Sequence, residues 1–245
     1  MTLAPPKHTN YTYPQAGGAY PSTIRSGVIV GPSGSGKSSL LLSLLTGPFR
    51  GKHARVWIVS PSCKEGHDPL WDTWRAFKSQ HYDWGDEETM FTAWDEDALT
   101  ELIDSHAAVN SALKKAGKRK LHAACLVIDD LADSPQFHNN HNLISRLFLM
   151  GRHVGVQCIC LSQKWKALST VVRSQTCFIV LFRMRNKKEK DAILEELSGL
   201  YPMKTLEELY NEATDGRHSF MYLNMLADRR QDVFYKRFDF RMLPT

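Results

Sequence analysis

A chain of 245 residues with 42% hydrophobic and 23% charged side chains carries enough apolar material for one large α/β domain, which excludes the low-complexity and disordered classes. No run approaches the roughly eighteen apolar residues of a membrane span, and MTLAPPKHTNYTYPQAGGAYP lacks the apolar core of a secretory signal. Five cysteines, an odd number without framework spacing, fit reduced thiols rather than a disulfide scaffold, with Cys158 and Cys160 as small buried side chains. The net charge of +5 is unevenly spread. Residues 65–104 are rich in acids against only Arg75 and Lys78, whereas Lys114, Lys115, Lys118, Arg119 and Lys120 cluster and 164–190 is basic again. Such polarity fits a face for a polyanion or a solvated loop equally well.

In chain order, residues 1–22 hold prolines, paired glycines and tyrosines without apolar periodicity, and read as a flexible extended arm. Residues 23–245 read as a single domain without internal repeats. TIRSGVIVG is a short apolar strand leading into a glycine-rich turn, and Ser38 to Leu45 continues as a helix. ARVWIVSP (54–61) is a second buried strand, stopped by Pro61. Residues 66–95 read as irregular, with Trp71, Trp74, Trp84 and Trp94 either a docking surface or packing under an insertion. Helical spacing follows over 96–116, with Leu99, Leu102, Ile103 and Ala107 on one face. AACLVIDDL (123–131), GVQCICLSQ (155–163) and TCFIVLF (176–182) are further strands, separated by a helix over 141–153. Lys187 to Leu197 and Thr205 to Ala213 are helical, and HSFMYLNMLADRRQDVFYKRFDF (218–240) is two β-prone runs around the turn ADRR, a hairpin. Apolar strands alternating with helices predict a mainly parallel sheet covered on both faces.

GPSGSGKSS (31–39) has the phosphate-loop spacing G-x-x-x-x-G-K-[ST], placed between a strand and a helix as that motif requires. Gly31, Pro32, Ser33, Gly34, Ser35, Gly36, Lys37, Ser38 and Ser39 are therefore the expected phosphate cradle: glycines let backbone N–H groups converge, and the helix offers its positive end. Lys37 is expected on the β- and γ-phosphates, and the Ser38 hydroxyl on Mg²⁺. Asp129 ends four apolar residues and is the expected second metal ligand. Asp130, next to it, is placed to activate a water against the γ-phosphate. Ser162 and Gln163 end a strand that, inserted between the loop strand and the acid strand, would bring a γ-phosphate sensor to the site. Arg152 closes the preceding helix; it is either an arginine finger for a neighbouring subunit or a cation at a helix C-terminus. Arg173 is the competing finger.

In this order, GPSGSGKSSLL, LVIDDLAD, LFLMGRHVGVQCICLSQ and LFRMRNKKEKDAILEEL resemble the DNA-packaging ATPases of double jelly-roll viruses, those of the poxvirus type, of virophages and of Polinton transposons, within the FtsK–HerA superfamily. The resemblance covers about 24 to 200, with RHVGVQCICLSQ its most specific part. It implies an additional-strand, RecA-like P-loop ATPase fold. It also implies ATP and Mg²⁺ as cofactors, a homo-oligomeric ring, double-stranded DNA held by its backbone, and a capsid or portal-vertex partner. Action would be in the host cytoplasm or viral factory, or on the virion. Asp130 departs from the glutamate many members carry. One methylene shorter, it needs its water closer or relayed.

Other readings remain. GPSGSGKS also resembles the loop of guanylate kinases, which need neither a base beside the metal acid nor a sensor glutamine. NKKE at 186–189 imitates a guanine-specificity motif, but Glu189 replaces its aspartate and no D-x-x-G follows the third strand. A nucleotide-dependent scaffold that never grips DNA is a further alternative. His138 and His141 could pair on a metal, although no second pair matches them.

Overall fold

Runs dominated by Val, Ile, Leu, Phe and Cys, with few polar residues, form strands that must be covered on both faces. In the computed structural model, which describes residues 11–130 and 142–243, these runs are β1 (Gly27–Val30), β2 (His53–Val59), β4 (Ala123–Ile128), β5 (Val156–Ser162) and β6 (Phe178–Phe182). A short β3 (Met90–Phe91) lies beyond β2. The three C-terminal strands are β7 (Phe220–Asn224), β8 (Phe234–Lys236) and β9 (Phe240–Arg241). All nine form one sheet in the order β3-β2-β4-β5-β1-β6-β7-β8-β9. The part from β3 to β6 is parallel, and β7, β8 and β9 add antiparallel. The predicted hairpin is thus β7–β8, and it extends the main sheet instead of standing apart. The strand read over 155–163 does enter between the loop strand β1 and the acid strand β4.

Side-chain alternation along the strands divides the core in two. On one face Ile29, Ile58, Val127 and Leu161 meet α1 (Lys37–Thr46) and α2 (Pro69–His81). On the other, Val28, Leu126 and Cys160 meet α3 (Glu96–Lys115), α4 (Leu143–Val154), α5 (Thr170–Gln175), α6 (Lys187–Glu196) and α7 (Met203–Ala213). Parallel strands joined by crossover helices bring all their carboxyl ends to one edge, so the loops after β1, β4 and β5 converge there.

The irregular reading of 66–95 is corrected by α2 and β3. Asp68 caps α2 by accepting from the Leu70 N–H, Pro69 opens it, and Trp71 and Trp74 are fully buried on its inner face. Tyr82 stacks on Trp84, which is also buried, while Trp94 is half-buried against the other core. Three of the four tryptophans are therefore core. The helix α5 has no counterpart in the sequence reading. From residue 11 the N-terminal segment runs extended and is tied down: Thr12 exchanges backbone hydrogen bonds with Arg119 and Leu121, and the Gln157 side chain donates to the carbonyls of Ser22 and Arg25.

Candidate nucleotide site

The loop after β1 turns because its glycines take conformations that other residues adopt only at a cost: Gly34 and Gly36 have φ of 74° and 102°. Gly31 is packed so closely that a Cβ there would lie 2.7 Å from Phe182 Cβ and from Ser35 Oγ. Gly36 stands at the N-cap of α1 with no side chain capping the helix, so the first amides are left to a ligand. The Ser35 hydroxyl is buried without a hydrogen-bond partner. Lys37, nearly buried, donates to the carbonyls of Gly31 at 2.9 Å and Pro32 at 3.2 Å.

Across the loop, Ser38 Oγ donates to Asp129 Oδ2 at 3.3 Å. The Asp129 backbone N–H is held by the Val59 carbonyl, and the residue is 5% exposed. Burial, reinforced by the neighbouring Asp130 charge, pushes the Asp129 pKa up to about 6, against the pull of Lys37 and Ser38. Burial likewise lowers the Lys37 pKa, although both aspartates oppose it. Both partners are shifted towards neutrality, so each loses more hydration than it regains from the other. Asp130 is exposed and takes a left-handed backbone, φ 56°, a conformation that costs a non-glycine residue of order 1 kcal/mol or more and clusters at working sites. Gln163 Nε2 donates to Asp130 Oδ1 at 2.8 Å. Lys37, Ser38, Asp129, Asp130 and Gln163 thus line one cleft of about 460 Å³.

The donors suit a small hard cation. One hydroxyl and one buried carboxylate, all oxygen, leave the remaining positions to phosphates and water, as Mg²⁺ prefers. Among the described residues no group of three or more His, Cys, Asp or Glu is arranged to hold a metal by itself. His138 and His141 lie outside the described residues.

Arg152 and Arg173 lie elsewhere. Both precede a strand, β5 and β6 respectively, and so sit at the amino edge of the sheet. The seven residues of β5 at roughly 3.3 Å each put about 20 Å between Arg152 and the cleft. Neither arginine lines the cleft of its own chain. Arg152 is exposed with its Nε 3.4 Å from His153 Nε2. Arg173 is paired with Glu196 at 3.2 Å and donates to the Leu168 carbonyl. The basic run 114–120 shares this amino edge, where the Lys114 ammonium lies over the Tyr11 ring and donates to the His153 carbonyl.

Four cleft residues were not anticipated: Ser62, Asp68, Leu70 and His218. The Asp-Pro pair at 68–69 is a readable helix start. His218 sits in a turn before β7 with no local pattern. A second cleft, between β2 and α3 and lined by Trp57, His106 and Val109, has its acid Glu87 already engaged by Arg55 and the Trp57 indole; it gathers no comparable set.

A family model described as Poxvirus A32 protein matches residues 25–206. No curated protein sequence matches the chain. Among solved structures, the genome packaging NTPase B204 of Sulfolobus turreted icosahedral virus 2, solved in complex with AMP, superposes with a TM-score of 0.57 at 18% identity, over 84% of this chain and 94% of that one. B204 has also been solved with ATP-gammaS and AMPPCP. The pCW3 conjugation coupling protein TcpA matches with a TM-score of 0.56 at 15% identity, over 88% of this chain and 61% of that one. EssC ATPases 2 and 3 from Geobacillus thermodenitrificans match with a TM-score of 0.52 at 13% identity, over 78% and 42%. At these identities the likeness is one of fold.

Proposed function

We propose that this chain, which belongs to the poxvirus A32 protein family, is a viral genome-packaging ATPase that drives double-stranded DNA into a capsid as a ring of identical subunits. One observation carries the reading: β5, lying between β1 and β4, delivers Gln163 to Asp130 beside the Lys37 loop. A fixed carboxylate and its amide partner at the γ-phosphate end are what hydrolysis needs, and a kinase transferring phosphate to a small acceptor has no use for them.

In this reading Lys37 and the loop amides bind the triphosphate. Mg²⁺ would be held by Ser38 and Asp129, where it would neutralise phosphate charge. Asp130 accepts the proton of the attacking water, and Gln163 orients that carboxylate and reports whether the γ-phosphate is present. Asp130 is the shorter acid, and its left-handed backbone together with the Gln163 bond aims it. Arg152, exposed and remote from its own cleft, would act at the cleft of the next subunit, where an arginine offsets transition-state charge. Arg173, already paired with Glu196, is the weaker candidate. DNA would be held through its phosphates, a contact that ignores sequence as packaging requires.

The test is ATP hydrolysis by the purified chain with and without double-stranded DNA of unrelated sequences, beside a mass measurement of the assembly. Stimulation by every sequence, steeply weakened by salt, together with a multimeric mass, is expected. Hydrolysis that ignores DNA in a multimeric particle would favour the scaffold alternative. Turnover that requires a small-molecule acceptor would favour a kinase.

A further inference from the structure

His218 lies 183 residues from Ser35 in the chain, yet its Nδ1 is 2.9 Å from the Ser35 carbonyl oxygen. On its other side, Arg217 Nε is 3.2 Å from His218 Nε2. A carbonyl only accepts and a guanidinium only donates, so these two contacts select one neutral tautomer, with the proton on Nδ1. His218 holds this position in the left-handed region, at φ 57°, where a non-glycine residue persists only if its surroundings over-determine it. Its ring also packs on the loop: a Cβ placed on Gly36 would be 3.1 Å from Nδ1.

The carbonyl His218 grips belongs to the peptide most able to rotate. Turning the Ser35–Gly36 peptide plane changes ψ of Ser35 and φ of Gly36, and glycine accepts either sign of φ. In a trans peptide the C=O and N–H point to opposite sides. Anchoring the oxygen to His218 therefore sends the Gly36 N–H the other way. The flanking bonds, Ser35 N–H to the Pro32 carbonyl and Leu40 N–H to the Gly36 carbonyl, leave this plane unrestrained.

We propose that His218 is a positioning residue for nucleotide binding: it latches the Ser35–Gly36 peptide with the Gly36 N–H turned inward to the phosphates, while Arg217 holds its tautomer. The inference rests on the nucleotide reading of the cleft. It also ties the phosphate loop to the turn that leads into β7, so that the C-terminal strands and the loop share one hydrogen-bonded joint.

The experiment measures binding of a fluorescent ATP analogue with Mg²⁺ to the full chain, with KM, kcat and melting temperature. His218→Gly removes the donor and also the backbone strain. His218→Asn keeps a donor at the δ position and suits a left-handed backbone. Loss of one hydrogen bond that acts on ground and transition states alike predicts about tenfold weaker binding and a matching rise in KM for His218→Gly, with kcat within about twofold. Its melting temperature stays at or above that of the wild type, because strain is relieved, and His218→Asn restores the affinity. Wild-type affinity in His218→Gly overturns the proposal, as does an affinity loss that follows a lowered melting temperature and that His218→Asn fails to repair. Should His218→Asn fold poorly, His218→Gly decides alone. Lys37→Ala marks the non-binding limit; if the wild type binds no better than Lys37→Ala, the nucleotide reading itself fails, and a failure of the latch alone leaves that gap intact.

Discussion

Asp129 offers a test that separates stability from turnover. Its carboxyl has an ordinary pKa of 3.8 and is held at about 6 in the fold, chiefly by burial and next by Asp130. The folded state therefore binds the proton more tightly than the unfolded chain. The fold bears no cost from this group below pH 3.8, and loses stability as the pH rises through about 6. At about 1.36 kcal/mol per factor of ten in proton affinity, the ionised carboxylate costs the fold up to about 3 kcal/mol at pH 8. Asp129→Asn keeps the shape and an acceptor for Ser38 while removing the charge. In a chelator and without nucleotide, the variant should melt higher than the wild type at pH 8. For a chain of this size the difference should be roughly 6–12 °C, and it should shrink towards zero near pH 4. Its ATP turnover should be lost if Asp129 holds Mg²⁺ as proposed. Thermal denaturation monitored by circular dichroism across pH 4 to 8 reads the difference directly. A variant that melts at or below the wild type at pH 8, or an offset that does not change with pH, would refute the view that burial outweighs the Lys37 pairing.

Other perturbations address the remaining groups. Asp130→Asn should bind ATP with near-native affinity and lose at least about a hundredfold in turnover; near-normal turnover would move the base elsewhere. Arg152→Ala subunits mixed with Lys37→Ala subunits should recover part of the ATPase activity, because some interfaces then combine an intact loop with an intact arginine. Absence of recovery at every ratio would leave Arg152 a structural cation. His53 is buried beside the Thr23 carbonyl, and burial lowers its pKa to about 4 from 6.5. Its contribution is fully present above pH 6.5 and is lost as the pH falls towards 4, by about 3 kcal/mol. Since Asp129 acts oppositely over part of this window, the quantity to measure is the stability of His53→Gln relative to the wild type. That difference should move in favour of the variant on acidification, and a constant difference would contradict the assignment.

What could be read without coordinates is what consecutive residues decide. The phosphate loop is legible because its chemistry, glycines that free the backbone followed by a lysine and a hydroxyl at a helix start, is complete within nine neighbouring positions. Asp129 and Asp130 are legible because an unbroken apolar run must be a buried strand, and a polar residue at its carboxyl end must emerge at the sheet's edge. Helix α2 was missed for the converse reason. Its inner face rests on Trp71 and Trp74 among Asp72, Arg75 and Lys78, so its capping pair Asp68–Pro69 was the clearer signal.

Other features were decided only by the packing of distant segments. The sequence suggested the strand of Gln163 between β1 and β4 only as a condition; the crossover connections fulfil it, and the closed sheet makes Gln163 a partner of Asp130. The amino-edge position of Arg152, remote from its own cleft, follows from the same parallel topology. His218 reaches the loop across most of the chain, from a turn whose local pattern gives no hint of it. Hydrogen-bond partners so far apart in sequence are chosen by the closing of the sheet, because only a fully packed core can hold a strained histidine against a glycine that would otherwise turn freely.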